Sequence, residues 1–399
     1  MLRLKSRRQL DYDLRDLSTQ VLPNVNRLAG TAQDTLPVDG TLEHFLGHVG
    51  WSPFADLRTE MIRRLIRMKA LDDGRLLGHH VIAIDGTGWL SSNRRHCPAC
   101  MVQHHEKVDV FLHQVLEAKL VGQVGLALSV ETEFVDADPA LKAAVDVPSK
   151  QDCELIALTR MVPRLKRKFP QLPICLSGDA LYACGRVFEM VKQNGWAFVV
   201  TFKEGRLPAV WEDFQQLLKA SPENRLAAEL PGGVRQCFSW VNGLSYKDDD
   251  GRTHVFNALQ CEETVKGATT RYAWATNLPL DASTVVAIAS KGGRSRSRIE
   301  NEGFNTQKNG DYHLCHAFSA NPDTCRAYYL LLQIAHMVSQ LFEKGSLLRR
   351  IAQKLPAALF GSLRNLARRL LECFRYAFIP DDAFDAGAAA ACQIRLDES

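Results

Sequence analysis

Three acidic residues stand where their carboxylates can converge. Asp85 closes the apolar run Val81-Ile82-Ala83-Ile84 and is followed by Gly86-Thr87-Gly88. Asp179 closes a second run, Leu172-Pro173-Ile174-Cys175-Leu176-Ser177-Gly178. Glu300 lies in Arg296-Ser297-Arg298-Ile299-Glu300-Asn301-Glu302-Gly303-Phe304-Asn305-Thr306-Gln307-Lys308, a stretch of helical composition with a basic rim. Two carboxylates at the ends of buried strands and a third on a helix supply the hard oxygen ligands that hold a pair of divalent cations for phosphodiester chemistry. Glu302 competes with Glu300, but residues two apart on a helix point away from each other, so only one can face such a site. A second metal-binding pattern is His96-Cys97-Pro98-Ala99-Cys100, followed by His104 and His105. Cys97 and Cys100 form half of a structural Zn²⁺ site that the histidines could complete. Packed cysteines are the competing reading.

The elements that would position these groups follow from periodicity. Residues 1 to about 75 read as helical and basic, with Leu57, Met61, Leu65 and Met68 at helical spacing. Val81 to Ile84 reads as a buried strand, and Asp109–Val121 and Gly125–Val135 as two more. Gln151–Lys168 has an apolar stripe of Leu155, Leu158, Met161, Val162 and Leu165 and reads as a helix. Ile174–Leu176 is a central strand, Ala183–Asn194 a helix stopped by Gly195, and Trp196–Phe202 a returning strand. From 201 to 291 the pattern turns β-rich, with strands at Gln236–Leu244, Thr253–Glu262 and Thr270–Thr276. Thr324–Phe342 is a long apolar helix, and the tail from Asp381 is Ala- and Asp-rich and reads as loosely ordered.

At 399 residues the chain can bury a large core, and 46% hydrophobic with 24% charged residues is ordinary globular composition. A net charge of +4 does not by itself argue for a polyanionic partner, but the distribution is uneven. Basic clusters occur at Arg3, Lys5, Arg7 and Arg8, and at Arg58, Arg63, Arg64, Arg67 and Lys69. A third comprises Arg349, Arg350, Lys354, Arg364, Arg368 and Arg369, offset by Glu343 and Glu372. Basic faces around an acidic centre suit a polyanion approaching a metal site; solvated helix faces would look the same. Eleven cysteines do not imply disulfides here, since Cys175, Cys325 and Cys373 lie in apolar segments and read as small buried hydrophobes. Met1 to Leu10 is basic but no apolar segment follows it, and no stretch reaches roughly 18 apolar residues. The expectation is a cytoplasmic protein without membrane spans.

Ile84-Asp85-Gly86-Thr87, Gly178-Asp179-Ala180-Leu181-Tyr182 and Arg296-x-Arg298-Ile299-Glu300 together resemble the DDE transposases of bacterial insertion sequences, in the group with a β-strand insertion before the final glutamate. Lys150-Gln151-Asp152-Cys153-Glu154 also resembles a segment of some of these enzymes, and the resemblance covers roughly residues 75 to 345. It implies an α/β fold: an RNase H-like mixed-sheet core flanked by helices, with the first acid on the first strand, the second at the end of the fourth and the third on a later helix. The implied organisation is a basic helical region at 1–75 for DNA-end binding, the core at 76–203, a β-rich insertion at 204–290, the glutamate helix and a closing helix at 291–345, and a basic helical region with its tail at 346–399.

The implied activity is metal-dependent DNA strand cleavage at element ends and strand transfer into target DNA. Asp85 would bridge two Mg²⁺ (or Mn²⁺) ions, with Asp179 and Glu300 each binding chiefly one. Arg296, Arg298 and Lys308 would pin phosphates. The implied partners are double-stranded DNA, at terminal inverted repeats and at the target, and a second copy of the chain, in a nucleoid-associated setting. The related group carries Tyr, Arg, Glu and Lys around the third acid. Here the tyrosine position is Gly293, and Lys308 lies one residue beyond the expected interval. Trp240 and Trp274 could stack on an extruded base, although buried sheet aromatics are the commoner explanation. A DNA-binding relative that does not cut, and an RNase H-like nuclease without strand transfer, are the alternatives.

Overall fold

A computed structural model describes residues 6–16, 18–94, 97, 100–105, 108–122, 125–135, 152–316, 318–346, 361–380 and 394–396, with Asp382 and Asp385. Arg3, Lys5, His96, Lys150, Gln151, Arg349, Arg350 and Lys354, and most of the tail beyond Asp381, lie outside the described residues. The chain is mixed α/β, a large mixed sheet flanked by helices.

Helices α1 (Arg7–Leu14), α2 (Val21–Ala29), α3 (Asp39–Val49) and α4 (Ser52–Arg67) precede the sheet. The strands are β1 (His80–Ser92), β2 (Met101–His104), β3 (Asp109–Val121) and β4 (Ala127–Val135), then β5 (Ile174–Gly178) and β6 (Ala197–Thr201). Helices α5 (Asp152–Lys168) and α6 (Gly185–Asn194) precede β5 and β6 respectively. After α7 (Pro208–Ala220) come β7 (Arg225–Leu230), β8 (Val234–Lys247), β9 (Thr253–Val265) and β10 (Ala268–Thr276). Two helices close the described chain, α8 (Pro322–Lys344) and α9 (Leu363–Tyr376).

All ten strands belong to one sheet, in the order β2-β3-β1-β5-β6-β10-β9-β8-β7, with β4 also on β3. β1, β5 and β6 are parallel, and every other pairing is antiparallel. The β-rich insertion is therefore an extension of the same sheet, hydrogen-bonded to it through β10 and β6.

The period-2 pattern of β1 sends alternate residues into two cores. Ile82 and Ile84 join the apolar stripes of α5 and α6, whereas Val81 and Ala83 face residues such as Ile288, Ile299 and Phe304 across the sheet. On that second side runs a composite helix. It is α-helical at Val285–Ala287, π-helical at Ile288–Gly293, 3-10 at Arg294–Arg296, π-helical again at Ile299–Asn305 and α-helical at Thr306–Asn309.

Three expectations change. Asp85 does not end its strand: β1 leaves parallel pairing with β5 after Ala83 but stays paired with β3 through Ser92. The inward face of α4 is Ala55, Arg58, Thr59, Ile62 and Leu65, while Leu57 is half exposed. The face is set by Arg58, whose fully buried guanidinium bonds Ser129 (3.0 Å) and Thr132 and lies 3.7 Å from Glu131 of β4. Arg58 thus belongs to the core and not to a surface cluster, and its neighbours Arg63 and Arg67 bind the Lys168 carbonyl and Glu60. Finally, Cys175 and Cys325 are buried as expected, but Cys373 is exposed on α9.

Candidate active site

The site is built where β1 and β5 part. In parallel sheets the carboxyl ends of neighbouring strands open a crevice for ligands. Asp179 follows the last residue of β5 and bends inward, its carboxylate accepting the Leu181 N–H (2.8 Å) at the start of a 3-10 turn. Asp85 lies two residues beyond the end of parallel pairing, on the face covered by the composite helix. Glu300 reaches the same place from that helix. Arg296 Nη1 lies 2.8 Å from Glu300 Oε1 and 3.7 Å from Asp85 Oδ2, joining strand and helix.

Electrostatics mark the cluster. The Asp85 side chain is 18% exposed. Burial, partly offset by Arg296 and reinforced by Glu300, Glu154 and Asp179, pushes its carboxyl up to about 7. Glu154, at the start of α5, is a fourth carboxylate that the motifs did not single out as a site residue. Its carboxyl is raised by burial and by Asp179, against a hydrogen bond from the Tyr182 hydroxyl to Oε2 (3.2 Å). Burial and the neighbouring Glu154, Asp85 and Asp179 hold the Tyr182 hydroxyl far above the usual phenol range. Glu154 and Tyr182 fall within the segments 150–154 and 178–182, but only the fold's register shows that they meet. Gly86 leaves the space for Glu154, because a Cβ there would collide with its carboxylate.

The composite helix sets where Lys308 lies. On an α-helix eight residues overshoot two turns by about 80°, so Lys308 would rotate off the face of Glu300. The π-helical turn at Ile299–Asn305 takes up an extra residue, and Lys308 Nζ comes to 2.8 Å from Thr87 Oγ1, two residues past Asp85. Glu302 faces elsewhere, close to Gly125 and to the Arg298 charge. Arg298 is half-buried beside it, which separates it from the Arg296 and Lys308 group. Gly293 packs against the Trp274 indole so closely that any side chain would strike the ring, so a tyrosine has no room there. Trp240 and Trp274 are both buried, at 5% and 4% exposure, as sheet aromatics. Beside Arg296 a cleft of about 550 Å³ is lined by Arg271, Arg294, Lys203 and Tyr272.

The oxygen donors are carboxylates that are part-buried at Asp85, Asp179 and Glu154 and exposed at Glu300, and burial first, then the neighbouring carboxylates, raises Asp85. Among the described residues no three carboxylates bring one oxygen each within 4.8 Å of one another, so Asp85, Asp179 and Glu300 do not form a cation-sized cluster as they stand. The thiol expectation resolves differently. Cys97 and Cys100 meet His113 of β3, while His104 bonds Asp109 (2.8 Å) and His105 is exposed. Among the described residues no helix is long and apolar enough to cross a membrane. No protein-family model and no curated protein matches the chain.

Proposed function

We propose that the chain is a DDE-type DNA transposase that cleaves DNA at the ends of its element and transfers the strands to target DNA. The observation that carries this reading is the convergence of Asp85, Asp179 and Glu300 from three distant segments, with Arg296 linking β1 to the composite helix. The strand order supports an RNase H-like core. With the short β2 set aside, β1, β3 and β4 form an antiparallel meander, and β5 and β6 continue it in parallel through α5 and α6. Asp85 then lies on the first core strand and Asp179 follows the fourth.

Asp85, Asp179 and Glu300 would hold the Mg²⁺ or Mn²⁺ ions. Such ions, when bound, lower the pKa of an attacking water or align a 3′-hydroxyl and stabilise the leaving oxygen. The protein's own groups do the positioning. Arg296, which lies between Asp85 and Glu300 in the free protein, would turn its remaining donors to a phosphate beside the scissile bond. Lys308, anchored at Thr87, places a second positive charge at the same edge. Glu154 adds negative charge, and Tyr182 fixes its orientation. Partners on this reading are the terminal inverted repeats, target DNA and a second copy of the chain, in the cytoplasm at the nucleoid.

The test is incubation with Mg²⁺ or Mn²⁺ and labelled duplexes carrying the inverted repeats that flank the gene, beside Asp85→Ala and Glu300→Ala. Cleavage at the repeat end that both substitutions abolish, with joined products, is the expected result. Cleavage without joining would leave a nuclease, and binding without cleavage a DNA-binding relative.

A further inference from the structure

We infer that Cys97, Cys100 and His113 supply three ligands of a zinc site that clamps the outer end of the β1–β3 hairpin, separate from the carboxylate centre. The three side chains are buried, at 6%, 0% and 4% exposure. Cys97 Sγ and Cys100 Sγ lie 3.7 Å apart, and His113 Nε2 is 3.1 Å from the first and 3.6 Å from the second. Tetrahedral zinc, with bonds of about 2.3 Å to sulfur and about 2.0 Å to nitrogen, requires roughly 3.8 Å between sulfurs and roughly 3.5 Å from sulfur to nitrogen. Two of the three separations already fit. The third is about 0.4 Å short, as expected of an S–H···N contact that opens when metal replaces the proton.

The local backbone is made for this. Cys100 N–H donates to the Cys97 carbonyl (3.4 Å), closing a turn that sets both thiols on one side. His113 is held opposite Leu90 of β1, beside the irregularity at Gly88, and its ring lies 5.4 Å from that of Trp89. Cys325, the next buried thiol in this region, is engaged with the Ser319 carbonyl (2.8 Å) and stays outside the cluster.

Soft thiolates with imidazole select zinc over magnesium, while the carboxylate centre selects the reverse. The two places do not overlap: Asp85 and Leu90 are five strand residues apart, on the order of 17 Å. Binding releases the two thiol protons and gives a cross-link from the β1–β2 connection to β3. That link fixes the part of the hairpin that projects past Asp85. The assignment is independent of the function proposed for the carboxylates.

The experiment measures zinc in protein purified without chelators from zinc-supplemented cells, followed by exchange to cobalt. The expected results are about one zinc per chain and, for the cobalt form, thiolate-to-metal charge transfer with the intense d–d bands of tetrahedral coordination. Cys100→Ser and His113→Ala should reduce retained zinc at least ~10-fold after dialysis against a chelator, whereas Asp85→Asn should keep it. Should the variants fail to fold, the cobalt spectrum of the unmodified chain decides. Protein that takes up neither metal, cobalt bound without thiolate charge transfer, or zinc lost from Asp85→Asn but kept in Cys100→Ser would each overturn the site.

Discussion

Replacing Asp85 by asparagine should stabilise the metal-free protein while abolishing catalysis. Burial and three neighbouring carboxylates raise the Asp85 carboxyl from 3.8 to about 7. A group whose pKa is higher folded than unfolded contributes stability that is fully present below 3.8 and lost as pH rises through 7. Above pH 7 the ionised side chain therefore costs the fold on the order of 4 kcal/mol, from about three pH units at about 1.4 kcal/mol each. Asparagine keeps the shape without the charge, and Arg296 retains Glu300 at 2.8 Å. The expected gain for Asp85→Asn is about 4 kcal/mol at pH 8 as a ceiling. It should shrink by about 1.4 kcal/mol per pH unit below 7 and vanish near pH 4. Thermal melts of both proteins at several pH values, without and with Mg²⁺, read this directly. Mg²⁺ should raise the midpoint of the parent at pH 8, less at pH 5.5, and that of the variant hardly at all. A variant no more stable than its parent at pH 8, or a difference independent of pH, would refute the reasoning.

Other consequences are as testable. Glu300→Gln should lower cleavage by at least ~100-fold, and Glu302→Gln should leave it within a few-fold, in a gel assay on labelled ends. Gly293→Ala should cost about 1–3 kcal/mol by overpacking against Trp274. Urea unfolding of a cycle with Trp274→Ala should show that this cost is largely removed once the ring is gone. Arg58→Ala removes the guanidinium from Ser129 and Thr132 while Glu131 keeps Lys168 (2.7 Å) and Arg164 (3.5 Å), and should cost about 1–3 kcal/mol, measured by chemical denaturation.

Much of this arrangement was legible in the chain. Apolar runs ending in acids located β1 and β5, and the stripe Leu155, Leu158, Met161, Val162 and Leu165 located α5, all buried as anticipated. What escaped was whatever depends on non-local partners. β2 and β7 are short or half-exposed and have weak periodicity of their own. Arg58 reads as a surface charge because nothing near it in sequence announces the polar pocket of Ser129, Thr132 and Glu131. The same holds for His113, sixteen residues from Cys97 and inside a strand. His96, His104 and His105 are nearer to the cysteines along the chain, and separation along the chain is the only distance a sequence carries.

The wide helical turn around Glu300 bears on how such a motif is inherited. Inserting one residue into an α-helix swings everything after it by about 100°, which ordinarily confines insertions to loops. Here the turn at Ile299–Asn305 is π-helical and takes in one residue more than an α-turn, and Lys308 reaches Thr87. Selection acting on the position of the charge would tolerate a length change inside the helix itself. Counting residues between Glu300 and its lysine is then a poor ruler of kinship. Comparison by which face of the helix meets Asp85 would group chains that fixed-interval motifs divide.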